Sequence, residues 1–252
     1  MKPLEKLGDA RTPNGSLLQL YRHDGAYLIR ADGVELMSTR RHHSEDKLAE
    51  LACAGLADRA GVRVLIGGLG LGFTLREALR HVGPDAEVWV AELMAEVIAW
   101  NANPEYELSH AAMADPRVRI VQDDVTKVLR AHVGTFDAIM LDTDNGPDGM
   151  ILRENAKLYT GRGIVSTIRA LKPGGVIAYW SVSADKRFVS ALENCGLRVK
   201  AVTARAHVTS GPWHTIYTAR VDDGRDAQPR AAVGTRPRAA VDTRPAKGRR
   251  RR

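Results

Sequence analysis

Cysteine and aromatic residues are scarce in this sequence, and long apolar runs are missing. Only two cysteines occur among 252 residues, without a CxxC spacing, so neither a disulfide framework nor a cysteine-based metal site is expected. No apolar stretch approaches the about 18 residues needed to cross a bilayer, and the first residues lack the apolar centre of a signal peptide. We therefore expect a soluble, cytoplasmic protein that makes no membrane contact.

The basic charge of the chain is concentrated at its C-terminal end. Residues 222–252 carry ten basic and four acidic side chains, which leaves residues 1–221 with a formal net charge of only +1. The octapeptide RAAVGTRP is repeated there as RAAVDTRP and is followed by KGRRRR. Such a segment has few large apolar side chains to bury, so we expect a disordered tail. A loose contact between this tail and nucleic acid is the less favoured alternative.

Three short β-rich segments precede the main part of the chain. SLLQLYR, AYLIRAD and VELM lie within residues 16–37 and are separated by two Asp-Gly pairs, which are signals for tight turns. We therefore predict a small N-terminal β-hairpin or meander region at residues 1–43.

From Arg63 onward, apolar strand-like segments alternate with helical segments. The strand candidates are VRVLIGG, EVWVAEL, VRIVQDD, FDAIMLD and GGVIAYWS, and two later ones, LRVKAVTARA and HTIYTARV, suit an antiparallel edge pair. Strands that are apolar on both faces and joined by helices predict a parallel sheet covered on both sides. The predicted fold class is therefore α/β, a doubly wound Rossmann-like sheet of about seven strands in a catalytic domain at residues 44–221.

Glycines end the first predicted strand, at the edge of the sheet where doubly wound proteins bind ligands. In LIGGLGLGF, Gly68, Gly70 and Gly72 permit a sharp turn and a close approach of the backbone to a ligand. Phe73 occupies the place of the third glycine of the dinucleotide fingerprint. The turn therefore favours a nucleoside ligand other than NAD or FAD.

Acidic residues end the next three predicted strands. Glu92 is placed to accept hydrogen bonds from ribose hydroxyls. Asp123, with Asp124 beside it, is placed to accept a hydrogen bond from an adenine amino group. Asp142 and Asp144 follow the fourth strand. No P-loop Lys or Ser/Thr follows the glycines, and the carboxylates would repel a triphosphate. The pattern predicts a site for adenosine joined to a cationic sulfonium.

With these motifs, the sequence resembles the spermidine synthases (polyamine aminopropyltransferases) within the class I S-adenosylmethionine-dependent methyltransferase-like fold. The resemblance covers residues 17–221. The family pattern GGGDGGxLRE is similar to GLGLGFTLRE, LDGV is similar to ADGV, and LKPGG is present unchanged. The ribose-binding acid of the family corresponds to Glu92. Its adenine-binding GD motif corresponds to Asp123, with Asp124 beside it.

The sequence departs from the family pattern in the parts that choose the donor tail and the acceptor. Leu71 stands where the family has an aspartate that grips the amino group of decarboxylated S-adenosylmethionine. The gate motif DSSDPxGP is shortened to DTDNGP, and the Tyr-His-Glu motif is similar to His43-Ser44-Glu45, with the histidine displaced. The resemblance therefore supports the fold and the cofactor class more strongly than the reaction.

The resemblance implies transfer of an aminopropyl group from decarboxylated S-adenosylmethionine to a polyamine. Asp142 would then accept a proton from the attacking amine, and Asp144 would steer the cationic acceptor. A structural role for Asp142, as a cap of the loop or of the next helix, is the alternative for that residue.

Two other functions remain open for the whole chain. One is an S-adenosylmethionine-dependent methyltransferase acting on a small molecule, which the loss of the aspartate at Leu71 favours. The other is a non-catalytic nucleoside-binding partner subunit. The resemblance also implies a homodimer, and no metal ion is expected in the site.

Overall fold

The computed structural model describes residues 3–142 and 155–221, which belong to one compact unit. The first four strands form an antiparallel sheet in the order β1-β2-β3-β4. They are β1 (Glu5–Arg11), β2 (Leu17–His23), β3 (Ala26–Ala31) and β4 (Val34–Ser38).

Two-residue turns join β2 to β3 and β3 to β4. Asp24 and Gly25 have φ angles of 50° and 74°, and Asp32 and Gly33 have φ angles of 47° and 85°. Positive φ at both central positions is the geometry of type I′ turns, whose twist matches that of paired strands. The N-terminal meander is therefore present, and it is one strand longer than predicted. The sequence of β1, EKLGDAR, is polar and mostly exposed, so it gives no apolar alternation to read.

The second sheet has seven strands in the order β10-β11-β9-β8-β5-β6-β7. Neighbours among β5 to β9 are parallel, whereas β11 is antiparallel to both β9 and β10. The α/β prediction and the antiparallel pair are confirmed. The strands are β5 (Arg63–Gly67), β6 (Glu87–Glu92), β7 (Val118–Gln122), β8 (Phe136–Leu141), β9 (Leu171–Ser181), β10 (Leu197–Arg205) and β11 (Trp213–Val221).

Helices cover both faces of this sheet. Val64 and Ile66 of β5 pack with the helices on one face and with the N-terminal sheet, whereas Leu65 packs with the helices on the other face. Burial on both faces explains why the parallel strands appear in the sequence as continuous apolar runs. The helices are α1 (His43–Ala52), α2 (Phe73–Arg80), α3 (Ala95–Ala102), α4 (His110–Met113), α5 (Val125–Ala131), α6 (Gly161–Ala170) and α7 (Lys186–Asn194), and a 3-10 turn spans Asn155–Tyr159.

The strand order reverses at β5, which pairs with β6 on one side and with β8 on the other. A crevice outside the carboxyl ends of the strands forms at such a switch point. Across the sheet, β8, β5, β6 and β7 are followed or ended by Asp142, the glycines, Glu92 and Asp123 in that order. Because adjacent strands lie about 4.8 Å apart, these groups span about 14 Å along one edge.

Within the described ranges, none of the helices is long and apolar enough to cross a membrane. The division of the chain at residues 44 and 222 stays a prediction, as does disorder of the tail, because residues 222–252 lie outside the described part.

Candidate active site at the carboxyl edge of the sheet

The turn between β5 and α2 brings the three predicted glycines together. Gly68, Gly70 and Gly72 have φ angles of 95°, 52° and 78°, a region that residues with side chains rarely adopt. Gly72 precedes the first residue of α2, and a Cβ atom built on it would lie 2.3 Å from the Cβ atom of Ser109. Glycine is therefore required at this position both by conformation and by space.

Two buried polar residues hold this turn in place. The Asn101 side-chain amide donates to the Gly70 carbonyl at 2.8 Å, and the Ser109 hydroxyl donates to Asn101 Oδ1 at 2.7 Å. Both side chains are buried. Sequence reasoning missed them, because a buried Asn on a helix and a Ser eight residues later form no recognised motif.

Glu92 ends β6 and binds the glycine turn directly. Its carboxylate accepts 2.8 Å hydrogen bonds from the backbone N–H groups of Leu69 and Met94. Burial raises the pKa of Glu92, and the backbone hydrogen bonds oppose that shift. Glu92 therefore fixes the position of the glycine turn through its carboxylate.

Asp123 and Asp124 follow β7, at the outer end of the line of strand ends. Asp123 accepts a 3.0 Å hydrogen bond from Lys127 Nζ, and this contact lowers the pKa of Asp123. Asp124 is the N-cap of α5, where its carboxylate accepts the Thr126 N–H at 2.7 Å. Asp124 therefore has a structural role as a helix cap, whereas the Asp123 carboxylate pairs with Lys127.

Asp142 follows β8, beside the glycine turn. Its backbone N–H donates to the Gly67 carbonyl at 2.9 Å, and its carboxylate accepts a 2.6 Å hydrogen bond from the Thr74 hydroxyl. Desolvation raises the pKa of Asp142 to about 6, although the Thr74 hydrogen bond opposes the shift. Asp144, the second carboxylate of this predicted motif, lies outside the described residues.

A second carboxyl group, that of Glu45, interacts electrostatically with Asp142. Glu45 lies in the first turn of α1, which contacts β8, β9, β10 and β11. Burial, and after it the negative charge of Asp142, raises the pKa of Glu45 to about 8. Near neutral pH the pair therefore carries roughly one proton and one negative charge.

Ser44 connects Glu45 to a histidine from a distant part of the chain. The Ser44 hydroxyl hydrogen bonds to the Glu45 carboxyl group and lies 2.9 Å from Nδ1 of His214, which is 170 residues later. The His214 ring contacts the Trp180 ring edge-on, with 4.6 Å between centroids. Pairing of β11 with β9 brings His214 to this place. Its sequence surroundings contain no signal of this contact.

A cavity of about 780 Å³ lies at the start of α1, where the N-terminal sheet and the segment after β10 meet that helix. A volume of this size accommodates a small-molecule substrate. Its polar lining includes Glu35, Arg41, His42, His43 and Asp46. Among the described residues, no group of three or more His, Cys, Asp or Glu side chains is arranged to hold a metal ion.

The sequence pattern of the spermine/spermidine synthase domain matches residues 49–195, which is more than half of the chain. The chain is 31% identical over 186 residues to a polyamine aminopropyltransferase of Corynebacterium efficiens and 34% identical over 156 residues to one of Leptospira biflexa. These matches cover 66% and 60% of this chain but only 34% and 51% of the two relatives. The chain thus spans about a third and about half of their lengths.

Similar folds occur among solved structures. The crystal structure of spermidine synthase from Thermotoga maritima has a TM-score of 0.66 and 18% identity, covering 85% of this chain and 72% of that one. A spermidine synthase in complex with the transition state analogue AdoDATO has a TM-score of 0.63 and 19% identity, covering 86% and 73%. At these identities, the likeness shows a shared fold. Together with the match over residues 49–195, the described architecture shows that the chain belongs to the spermine/spermidine synthase family.

Proposed function

We propose that this chain is an aminopropyltransferase, which moves the aminopropyl group of decarboxylated S-adenosylmethionine to an amine of the polyamine class. The observation that carries the proposal is the pair formed by Asp142 and Glu45 beside the glycine turn. One negative charge and one proton shared by two carboxyl groups suit the binding and deprotonation of an ammonium group. The names of the two relatives support the same activity.

The donor nucleoside would lie along the strand ends. Asp123 accepts a hydrogen bond from the adenine amino group, and Glu92 accepts hydrogen bonds from the ribose hydroxyls. The glycine turn, between Gly68 and Gly72, follows β5, which lies between β6 and β8. The backbone of this turn would therefore lie next to the sulfonium end of the donor. This orientation would put the carbon to be attacked next to Asp142.

The acceptor amine reaches the site as an ammonium ion and must lose a proton before it can attack. Asp142 accepts that proton, and the nitrogen lone pair then forms a bond to the carbon beside the sulfonium. The carbon–sulfur bond breaks, and its electron pair stays on sulfur, which leaves a neutral thioether nucleoside. The new secondary amine has gained the aminopropyl group. Alignment of the two reactants supplies much of the rate enhancement.

Methyl transfer from intact S-adenosylmethionine is the second candidate, and one observation favours it. Leu71 lies in the glycine turn and is only 2% exposed, so the turn has an apolar side chain where the family pattern has an aspartate. A donor amino group therefore finds no carboxylate at position 71.

Product analysis with the full-length protein separates the two reactions. The protein is incubated with decarboxylated S-adenosylmethionine or with S-adenosylmethionine, in each case with 1,4-diaminobutane. Formation of methylthioadenosine and an aminopropylated diamine from the decarboxylated donor supports the proposal. Formation of S-adenosylhomocysteine and a methylated product from the intact donor would replace it with methyl transfer. Binding of either donor without any product would favour a nucleoside-binding subunit.

We also propose that the chain acts as a homodimer, on the basis of the family resemblance, and that it acts in the cytoplasm, on the basis of its apolar run lengths. Light scattering of the purified protein tests the dimer, since a mass near 27.5 kDa would indicate a monomer.

A further inference from the structure

We propose that Ser44 and His214 form a proton relay, which carries the acceptor's proton from Glu45 toward solvent. This inference rests on the proposed aminopropyl transfer and adds to it the route by which the site is reset after each turnover. His214 touches neither reactant in this scheme, so it is a positioning and relay residue.

The Ser44 hydroxyl is the central link of the relay. Ser44 is fully buried, at 0% exposure, and its hydroxyl lies within hydrogen-bond distance of two groups, the Glu45 carboxyl and Nδ1 of His214. A hydroxyl has a single proton to donate, so it can donate to only one of these partners at a time. It must accept from the other.

Two arrangements of the same three groups follow from this restriction. In the first, a protonated Glu45 donates to Ser44 Oγ, and the Ser44 hydroxyl donates to an unprotonated Nδ1 of His214. In the second, His214 Nδ1–H donates to Ser44 Oγ, and the Ser44 hydroxyl donates to the Glu45 carboxylate. Passing from the first to the second moves one proton from Glu45 to His214, while Ser44 gives up one proton and receives another.

The reaction requires a path by which a proton can leave the site. Each transfer converts a primary ammonium ion and a sulfonium ion into a secondary ammonium ion, a neutral thioether and one free proton. Asp142 accepts that proton while Glu45 is still protonated, so the coupled pair then holds two protons. When Glu45 gives one of them to the relay, the pair returns to its resting state of one proton and one negative charge. A proton retained there would leave no carboxylate to deprotonate the next acceptor. His214 is partly exposed, unlike Ser44, so it can release the proton to water.

The surroundings of His214 keep its resting ring neutral and prevent it from retaining a proton. Burial, and after it the positive charge of Arg41, lowers the pKa of His214, so the resting imidazole is neutral and able to accept a proton. The Glu45 carboxyl group is connected to the His214 ring through the hydroxyl of Ser44 on α1. The neighbouring strands contribute Trp180 from β9 and Ala204 from β10, and neither side chain is titratable. Arg41 disfavours the imidazolium, so the proton is not held there.

The test combines turnover with a readout that does not need turnover. Full-length wild type is compared with His214→Ala, Ser44→Ala and Ser44→Thr, and with His110→Gln as the control. His110 is exposed on α4, and its ring contacts the Ala102 carbonyl. We expect kcat to fall about 100-fold in His214→Ala and in Ser44→Ala, the lower range for loss of a proton-transfer group, with little change in KM. Ser44→Thr keeps the hydroxyl and most of the rate.

Imidazole in the buffer should restore part of the rate of His214→Ala but none of the rate of Ser44→Ala. Retention of the wild-type pH profile by His214→Ala, or a loss that imidazole does not relieve, would show a purely structural role for His214 and overturn the relay.

The second readout is ¹⁵N NMR titration of the imidazole nitrogens of His214. Coupling through Ser44 predicts that Glu45→Gln changes the titration of His214 and that Ser44→Ala removes that sensitivity. An unchanged titration in Glu45→Gln would reject the relay even in a protein that forms no product. A wild type that couples Glu45 to His214 but transfers no aminopropyl group would retain the relay geometry and reject the proposed function instead.

Discussion

The Thr74 hydroxyl donates a 2.6 Å hydrogen bond to the Asp142 carboxylate and so joins the first turn of α2 to the end of β8. Asp142 also binds the Gly67 carbonyl through its backbone N–H. The proposed base and the proposed donor-binding turn are therefore held in one arrangement. A group that removes a proton next to the reacting carbon requires such fixed alignment.

Removal of the Thr74 hydroxyl should make Asp142 a weaker acid. The hydrogen bond from Thr74 lowers the pKa of Asp142 from the value that desolvation alone would give. In Thr74→Val we therefore expect the acidic limb of the kcat/KM profile to move to higher pH, by on the order of one unit for the loss of one hydrogen bond to a charged group. Thr74→Ser keeps the hydroxyl and should keep the wild-type profile. If the kcat/KM profiles of Thr74→Val and wild type coincide, the pKa of Asp142 does not determine the acidic limb.

Replacement of the proposed base should separate catalysis from donor binding. Asp142→Asn keeps the size of the side chain but removes its ability to accept a proton, so we expect kcat to fall about 10²–10⁴-fold. Donor affinity, measured by calorimetry with decarboxylated S-adenosylmethionine, should change little. A loss of donor affinity as large as the loss of rate would instead place Asp142 in the donor site.

The carboxyl pair should make stability depend on pH. Burial raises the pKa of Glu45 to about 8 in the folded protein, far above its value of about 4.3 in an unfolded chain. The folded state thus binds the proton more tightly, and the stabilisation present at low pH is lost as pH rises from about 4.5 to about 8.

Glu45→Gln cannot lose a proton, so its melting temperature relative to wild type should rise across this interval, by on the order of 10 °C. Glu50→Gln, a change at an exposed glutamate of the same helix, serves as the control. Parallel pH curves for wild type and Glu45→Gln would contradict the raised pKa.

The strands that form the main sheet could be predicted because each parallel strand is buried on two faces. Val64, Leu65 and Ile66 pack into cores on opposite sides of the sheet, and this burial demands consecutive apolar residues. Local sequence also identified the Asp-Gly turns, since positive φ at consecutive positions restricts the residues that fit. Both kinds of evidence depend on neighbouring residues only.

The part of the site that depends on distant residues could not be predicted. Ser44 meets His214 because α1 packs against β11, and no local pattern records that contact. The resemblance drew attention to Glu45, but its interaction with Asp142 follows from tertiary packing. The cap formed by Asp124 is local, yet a strand-end aspartate that caps a helix has the same sequence appearance as one that binds a ligand.

Substitution of Gly72 should test whether the turn is a rigid part of the donor site. Gly72→Ala faces a φ angle of 78° and a Cβ contact of 2.3 Å with Ser109, so strain and overpacking together should lower the free energy of unfolding by about 2–5 kcal/mol. Gly174→Ala is the matched control. Gly174 has a similar φ of 76°, with nothing within 4 Å of a built Cβ, so it should lose only the about 1–2 kcal/mol of backbone strain.

The two glycine variants should also differ in donor binding, because only Gly72 lies in the turn that Glu92 and Asn101 support. Relief of the clash in Gly72→Ala displaces either Ser109 or the turn itself, and movement of the turn weakens its contact with the nucleoside. Calorimetry with decarboxylated S-adenosylmethionine should then show at least about tenfold weaker binding for Gly72→Ala, equivalent to about 1.4 kcal/mol, and no change for Gly174→Ala. Equal donor affinities in the two variants would mean that the donor does not contact this turn.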